Sequence, residues 1–226
     1  MGNRIVVIGL GSFGIHVTKE LAKHDFTVIA IDKVRESVEQ IKNVVSQALI
    51  IDSTNEEALS EINWSEIDIA IVAIGDPNLE ASIITVTLLK QFGVRRIISR
   101  VSSQLHGRIL TQVGSNEIVN PEKDMAGMLV NRLAMKNVID MRFFDEENVI
   151  SEFIPPASFM GNSLLKLDLR KKLNISIVAI RRYPEDKKDN SRPKLVVNPS
   201  ATEIVTNRDV LIGIGKKDDF EKIGQY

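Results

Sequence analysis

Cysteine is absent from the 226 residues, which excludes disulfide frameworks, zinc–thiolate centres and thiol nucleophiles at the outset. Histidine is nearly as scarce. His16, His24 and His106 stand alone, none beside a nucleophile or at metal-ligand spacing from another, and each reads as a surface or packing residue. Basic and acidic residues number 29 and 30, a formal net charge of -1, so there is no electrostatic case for wrapping nucleic acid or lying on an anionic membrane. Long apolar runs are missing too. A run such as Ile67 to Gly75 has the length of a strand and falls far short of the ~20 residues of a membrane helix. The N-terminal residues are expected to pass directly into a strand without an apolar leader, and any tie to a membrane is expected to run through a partner.

What is present is alternation. Arg4-Ile-Val-Val-Ile-Gly9 is a short apolar run closed by glycine, the mark of a strand buried on both faces. Further strands are expected at Thr27–Ile31, Gln47–Ile51, Asp68–Ile74, Arg96–Ser99 and Glu117–Val119. Helical spacing fills the intervals at Ile15–Lys23, Val34–Ile41, Asn55–Glu61, Asn78–Gln91 and Ser103–Val113. Strict alternation implies parallel strands joined by right-handed crossovers, a Rossmann-like doubly wound α/β sheet. Glu122–Val138 reads as one long helix, and the acidic turn Asp145-Glu-Glu-Asn148 marks the boundary, giving domains at 1–138 and 148–226. Beyond it strands are expected at Val149–Ile154, Ile175–Arg181, Lys194–Val197 and Asp209–Ile214. Helices are expected at Asn162–Leu173 and Lys217–Ile223, so the second domain is a small α+β module. Pro184–Pro193 is polar and reads as a mobile hairpin loop.

The chemistry concentrates at the first strand–helix junction. Gly9-Leu-Gly11-Ser12-Phe13-Gly14 is a GxGxxG motif: one glycine for the tight turn, one for close approach of a phosphate, one for helix–strand packing. The helix N-terminus behind it offers unpaired N–H groups to an anion. Asp32, closing the second strand with Lys33 beside it, stands where an acid accepts hydrogen bonds from ribose hydroxyls and disfavours a 2′-phosphate. Asp52-Ser53-Thr54 and Ala73-Ile74-Gly75-Asp-Pro-Asn78 end the third and fourth strands, and Arg100 ends the fifth. Ligands of open α/β sheets bind beyond these carboxyl ends, so all of them are expected at one crevice. Asp52 is open to two readings, an adenine contact or part of a helix-capping segment, and Arg100 to two, a ribose or phosphate contact or a surface ion pair. No catalytic acid–base constellation emerges.

Taken together, these residues resemble the RCK (regulator of potassium conductance, or KTN) proteins of bacterial Ktr and Trk potassium uptake systems, over nearly the whole chain. The carriers are the glycine motif, Val28-Ile-Ala-Ile-Asp32, Asp52-Ser-Thr54, Ile71-Val-Ala-Ile-Gly75 and, most specifically, Asn120-Pro-Glu-Lys-Asp-Met125. In the second half they are Leu167-Asp-Leu-Arg170, Asn174-Ile-Ser-Ile177 and Asn198-Pro-Ser200. A single Rossmann domain resembles the Ktr regulator more than the two-repeat Trk subunit. The resemblance implies a cytoplasmic, non-enzymatic subunit docked as a homo-octameric ring beneath a membrane-embedded potassium channel. It implies ATP or ADP in the crevice, with NAD(H) an alternative. Residues Asp124 to Asn137 would form a crossover helix swapped between neighbours, and Glu122 would meet a divalent cation, Mg²⁺ or Ca²⁺, near the phosphates. In the second domain it implies a cyclic di-AMP site at Arg170, Asn174, Ile175, Ile177 and Pro199. Ser12 departs from the arginine often found there in related subunits, which bears on ATP-versus-ADP discrimination. A small NAD-dependent oxidoreductase would need a proton-transfer residue beside the nicotinamide, and a nucleotide-sensing repressor would need a basic helix-turn-helix. Neither is visible.

Overall fold

The computed structural model describes residues 3–76, 78–135, 137–185 and 191–226. Pro77, and residues 186–190 of the expected hairpin loop, lie outside the described residues, as does Lys136 of the expected crossover helix. The chain divides into two compact units, Met1–Lys123 and Asp124–Tyr226.

In the first unit strands and helices alternate: β1 (Arg4–Ile8), α1 (Ser12–Leu21), β2 (Thr27–Asp32), α2 (Arg35–Glu39), β3 (Gln47–Ile50) and α3 (Glu56–Ser60), then β4 (Ile69–Val72), α4 (Leu79–Gln91), β5 (Arg96–Arg100), α5 (Gln104–Val113) and β6 (Glu117–Val119). The strands form one parallel sheet in the order β3-β2-β1-β4-β5-β6. The order reverses at β1/β4, the switch point where such sheets open a crevice. Alternate residues of one strand serve opposite faces. Val6 and Ile8 join Ile31, Val72 and Ile97 under α3–α5, whereas Ile5 and Val7 join Val28, Ala30 and Ile71 on the side of α1 and α2. Two buried faces explain why β1 is apolar at every position but its first.

Helix α6 (Pro121–Ala134) starts in the first unit and continues into the second. The division therefore falls inside this helix, earlier than the acidic turn, because Met135, Val138 and Met141 pack in the second unit's core. The helix ends sooner than expected, at Ala134, and Val138, expected as its last residue, instead begins a strand just after Asn137, whose φ is +74°. This strand, β7 (Val138–Phe143), pairs with β8 (Asn148–Phe153), so the acidic turn is a hairpin turn and not an inter-domain link. The remaining elements are α7 (Leu164–Leu167), α8 (Leu169–Leu173), β9 (Ser176–Arg182), β10 (Lys194–Val197), β11 (Asp209–Lys216) and α9 (Lys217–Glu221). The expected single helix at Asn162–Leu173 is broken at Asp168, whose φ of +46° interrupts it between Leu167 and Leu169. The second sheet is antiparallel, in the order β10-β9-β11-β8-β7, and Phe153, Leu173, Ile180, Leu211 and Phe220 fill its core. Arg182 ties the ends of β9 and β11 by forking onto the buried carboxylate of Asp209 at 2.7 and 2.9 Å.

The packing of α4 against α5 contains a buried histidine. Ser82 donates its hydroxyl hydrogen to the Leu79 carbonyl (2.7 Å), so it can only accept from His106 Nε2, 2.8 Å away. His106 Nδ1 then keeps its lone pair, buried and without a partner among the described residues. Burial holds this imidazole below its ordinary pKa, and nearby Asp76 opposes the shift. The folded state therefore resists a proton that the unfolded chain accepts below about pH 6.5. Stability is accordingly complete above that pH and declines as the pH falls toward the depressed folded value. Melting curves between pH 7.5 and 5.5 should show this decline, and His106→Gln should flatten it over the same interval. An unaltered slope in the variant would assign the decline to other groups.

Candidate functional site

Each of the three motif glycines answers a different demand. Gly9 has φ +93°, and a Cβ there would lie 2.9 Å from the Ile74 amide nitrogen, so both its conformation and its surroundings need glycine. At Gly14 a Cβ would fall 1.9 Å from the Gly9 carbonyl oxygen, because α1 is pressed against the end of β1. Gly11 is different: its φ of -71° and ψ of -171° suit any residue, and among the described residues nothing lies within 4 Å of a Cβ built on it. The fold requires the first and third glycines. It leaves the second open toward the crevice.

That crevice has a volume of about 400 Å³, within the range of small-molecule sites. Of the residues expected there, Gly9, Gly11, Ser12, Asp32, Lys33, Asp52, Ser53, Ala73, Ile74, Gly75, Asn78 and Arg100 line it. Phe13 does not: it packs among the side chains between α1 and the sheet, with its ring centroid 5.8 Å from Arg100 Cζ. Gly14 serves the helix contact. Glu122 stands outside the lining and forms an ion pair with Arg100. Asp76, within the expected segment after β4, lines it too, and sequence reasoning passed over Ile8, Val34, Ser37, Ile51 and Ala81, which also line the crevice. Val34 and Ser37 follow the acid that ends β2, so their position was the available signal.

The carboxylates are built into the walls. Asp32 Oδ2 accepts from the Leu10 amide (2.5 Å) and Oδ1 from the Val34 amide (2.8 Å), so Asp32 holds the glycine turn against the end of β2. Asp52 Oδ1 accepts from the amide (3.0 Å) and hydroxyl (2.7 Å) of Thr54, which keeps its carboxyl below the usual range, with Lys33 Nζ contributing from 4.0 Å. The cap of α3 is Asn55, whose side chain accepts from the Ala58 amide. Ser53 is buried and bonded to Thr85 Oγ1 at 2.8 Å. Asp76 accepts from Ser102 at 3.0 Å.

Glu122 alone does not make a cation site. Among the described residues no three metal-ligating side chains gather, and this carboxylate already faces Arg100. A hard cation there would need oxygen ligands from outside the chain. In the second unit, Arg170 and Asn174 are exposed on α8 and at its end, and Pro199 is partly exposed. Ile175 is 1% exposed and belongs to the core, and Ile177 is partly buried against it.

A parallel sheet of this order, with a glycine turn and an acid at the end of its second strand, defines a Rossmann-type nucleotide-binding domain. The family model of the TrkA-N domain matches residues 5–121. Relatives include the Ktr system potassium uptake protein C of Bacillus subtilis (strain 168), 36% identical over 98% of this chain and 96% of that one. The Ktr system potassium uptake protein A of the same organism is 28% identical over 97% and 94%. The chain belongs to the RCK/TrkA-N family of Ktr- and Trk-type potassium uptake proteins. Among solved structures, the GsuK RCK domain is similar with a TM-score of 0.63 at 14% identity, and the GsuK channel bound to NAD with 0.61 at 14%. Each of these covers 97% of this chain, which in turn spans 46% and 38% of those two chains. Their likeness speaks to the fold alone.

The two hydrogen bonds that Asp32 accepts from backbone amides yield a direct expectation. Asp32→Ala leaves the buried Leu10 amide without its acceptor, and should lower stability by about 1–3 kcal/mol with no ligand present. Chemical unfolding of the two proteins measures it. Equal midpoints would mean that Asp32 is free for ligand alone.

Proposed function

We propose that this chain is a cytoplasmic regulatory subunit of a potassium uptake system, that it binds an adenine nucleotide in the crevice, and that occupancy controls ion flux through a membrane-embedded partner. The observation that carries the nucleotide reading is Gly11. A position at the mouth of the crevice that the fold would let carry a side chain has none, and the benefit of its bareness falls to a ligand phosphate approaching the backbone. Asp32 retains free lone pairs toward a ribose, and the first-turn amides of α1 face the same space. ATP and ADP are the favoured ligands and NAD(H) the alternative. Family membership supports the potassium-transport role.

Binding without turnover is the reading the crevice favours. Its carboxylates Asp32, Asp52 and Asp76 each accept hydrogen bonds from the protein itself, as wall elements do. Control then requires only that the ligand prefer one of two assembly states. A ring of copies, octameric in this reading, has support in α6, which exposes Met125, Met128, Leu129, Val130 and Leu133, an apolar stripe suited to another chain. Among the described residues no helix is long and apolar enough to cross a membrane, so the partner supplies the pore. A divalent cation near Glu122 would complete its ligand set across such an interface, and a cyclic dinucleotide in the second unit would rely on the exposed Arg170 and Asn174.

Gly11→Glu provides the test, because the fold accepts the side chain and the carboxylate then occupies the phosphate approach. At about 100 times the dissociation constant, nucleotide should stabilise the wild type by roughly 2.7 kcal/mol. The variant should melt like the unliganded wild type and respond to no nucleotide. In liposomes carrying the membrane partner, nucleotide should change potassium flux with the wild type and not with Gly11→Glu. A melting temperature indifferent to ATP, ADP and NAD(H) would overturn the ligand. Steady substrate turnover abolished by Gly11→Glu would overturn the non-catalytic role.

A further inference from the structure

Arg100 ends β5 and turns its guanidinium over the backbone at the end of β4. A Cβ at Gly75 would fall 2.6 Å from Nη1 and 3.1 Å from Cζ, so the glycine gives the guanidinium its seat. The Phe13 ring lies within cation–π range of Cζ. From that seat Nη2 donates to Glu122 Oε1, and the side chain also lines the crevice. One cation therefore touches the first turn of α1, the end of β4 and the first turn of α6.

The two partners are not held equally. Arg100's side chain is 20% exposed and packed between Gly75 and Phe13, whereas that of Glu122 is 62% exposed. An anion entering the crevice would compete for a guanidinium that is fixed in place, against a carboxylate that can turn into water at little cost. Exposed ion pairs are weak, and charge-assisted bonds from a planar guanidinium to phosphate are stronger. The competition is therefore resolved by Glu122 leaving.

We propose that Glu122 is a resident counter-anion of the crevice: it occupies Arg100 while the crevice is empty, and a ligand phosphate displaces it, freeing the first turn of α6. The proposal rests on the nucleotide reading of the same crevice. Displacement happens at the start of the one helix that runs from the first compact unit into the second, so phosphate occupancy is reported at their covalent junction. The turn has a tie that does not involve Glu122: Asn120 Oδ1 accepts from the Lys123 amide at 3.0 Å.

The test is a double-mutant cycle on the full chain in divalent-free buffer, with ADP and adenosine as probes and calorimetry as the readout. Glu122→Gln removes the competitor and should bind ADP about two- to fivefold more tightly. Arg100→Gln should bind ADP about tenfold more weakly or worse. The double variant should match Arg100→Gln, because Glu122 acts only through Arg100. Adenosine, which carries no phosphate, should bind alike to all four. Arg100→Lys, which keeps the charge without the planar fork, replaces Arg100→Gln if that variant fails to fold. Glu122→Gln binding ADP no better than the wild type, or keeping its advantage without Arg100, overturns this inference alone. A wild type that binds no ADP overturns the nucleotide reading and the inference with it.

Discussion

The approach of α1 to β1 is the contact on which the site depends. With a Cβ at position 14 only 1.9 Å from the Gly9 carbonyl oxygen, no side chain can stand between helix and strand. The helix N-terminus is therefore brought down onto the sheet at its switch point. Gly9 turns the chain to make this possible, and Asp32 fastens the turn from the neighbouring strand through the Leu10 amide. The crevice is what remains in front of the turn once these constraints are met. Its lip is backbone, and its walls are the carboxyl ends of β1 to β5.

The charges around that space divide into two kinds. Asp32, Asp52 and Asp76 are acceptors spent largely on the protein's own amides and hydroxyls, which makes them rigid boundaries. Arg100 is a cation whose position is fixed by packing and whose partner, Glu122, is not. A site built this way suits the proposed sensing of an anion without its transformation, since binding would replace one partner of a fixed guanidinium by another.

Much of the first unit was legible in the sequence because its signals are local. A strand buried on both faces is an unbroken apolar run, and a glycine turn sits directly between strand and helix, so the parallel sheet and most of the crevice lining could be read in order. The second unit was less legible. β7 was missed because Asn137, whose left-handed conformation precedes the strand, looks like an ordinary polar helix residue. The break at Asp168 was hidden by the same ambiguity, since the leucines on either side keep helical spacing. Ile175 could be read either as a ligand contact or as a core residue, because alternation alone does not say which side of a strand is buried, and it lies in the core. Within the crevice, the roles of Phe13, Gly75 and Glu122 around Arg100 depend on contacts between residues far apart in the chain, and no spacing rule announces them.

The central claim is that the bare backbone at Gly11 is a phosphate seat. A crystal structure of the purified protein grown with ADP tests it most directly. The account expects the phosphates against the backbone of the Gly9–Gly14 turn, the ribose beside Asp32, and the Glu122 carboxylate turned away from Arg100. ADP bound elsewhere, with the crevice unchanged and the Arg100–Glu122 pair intact, would contradict it.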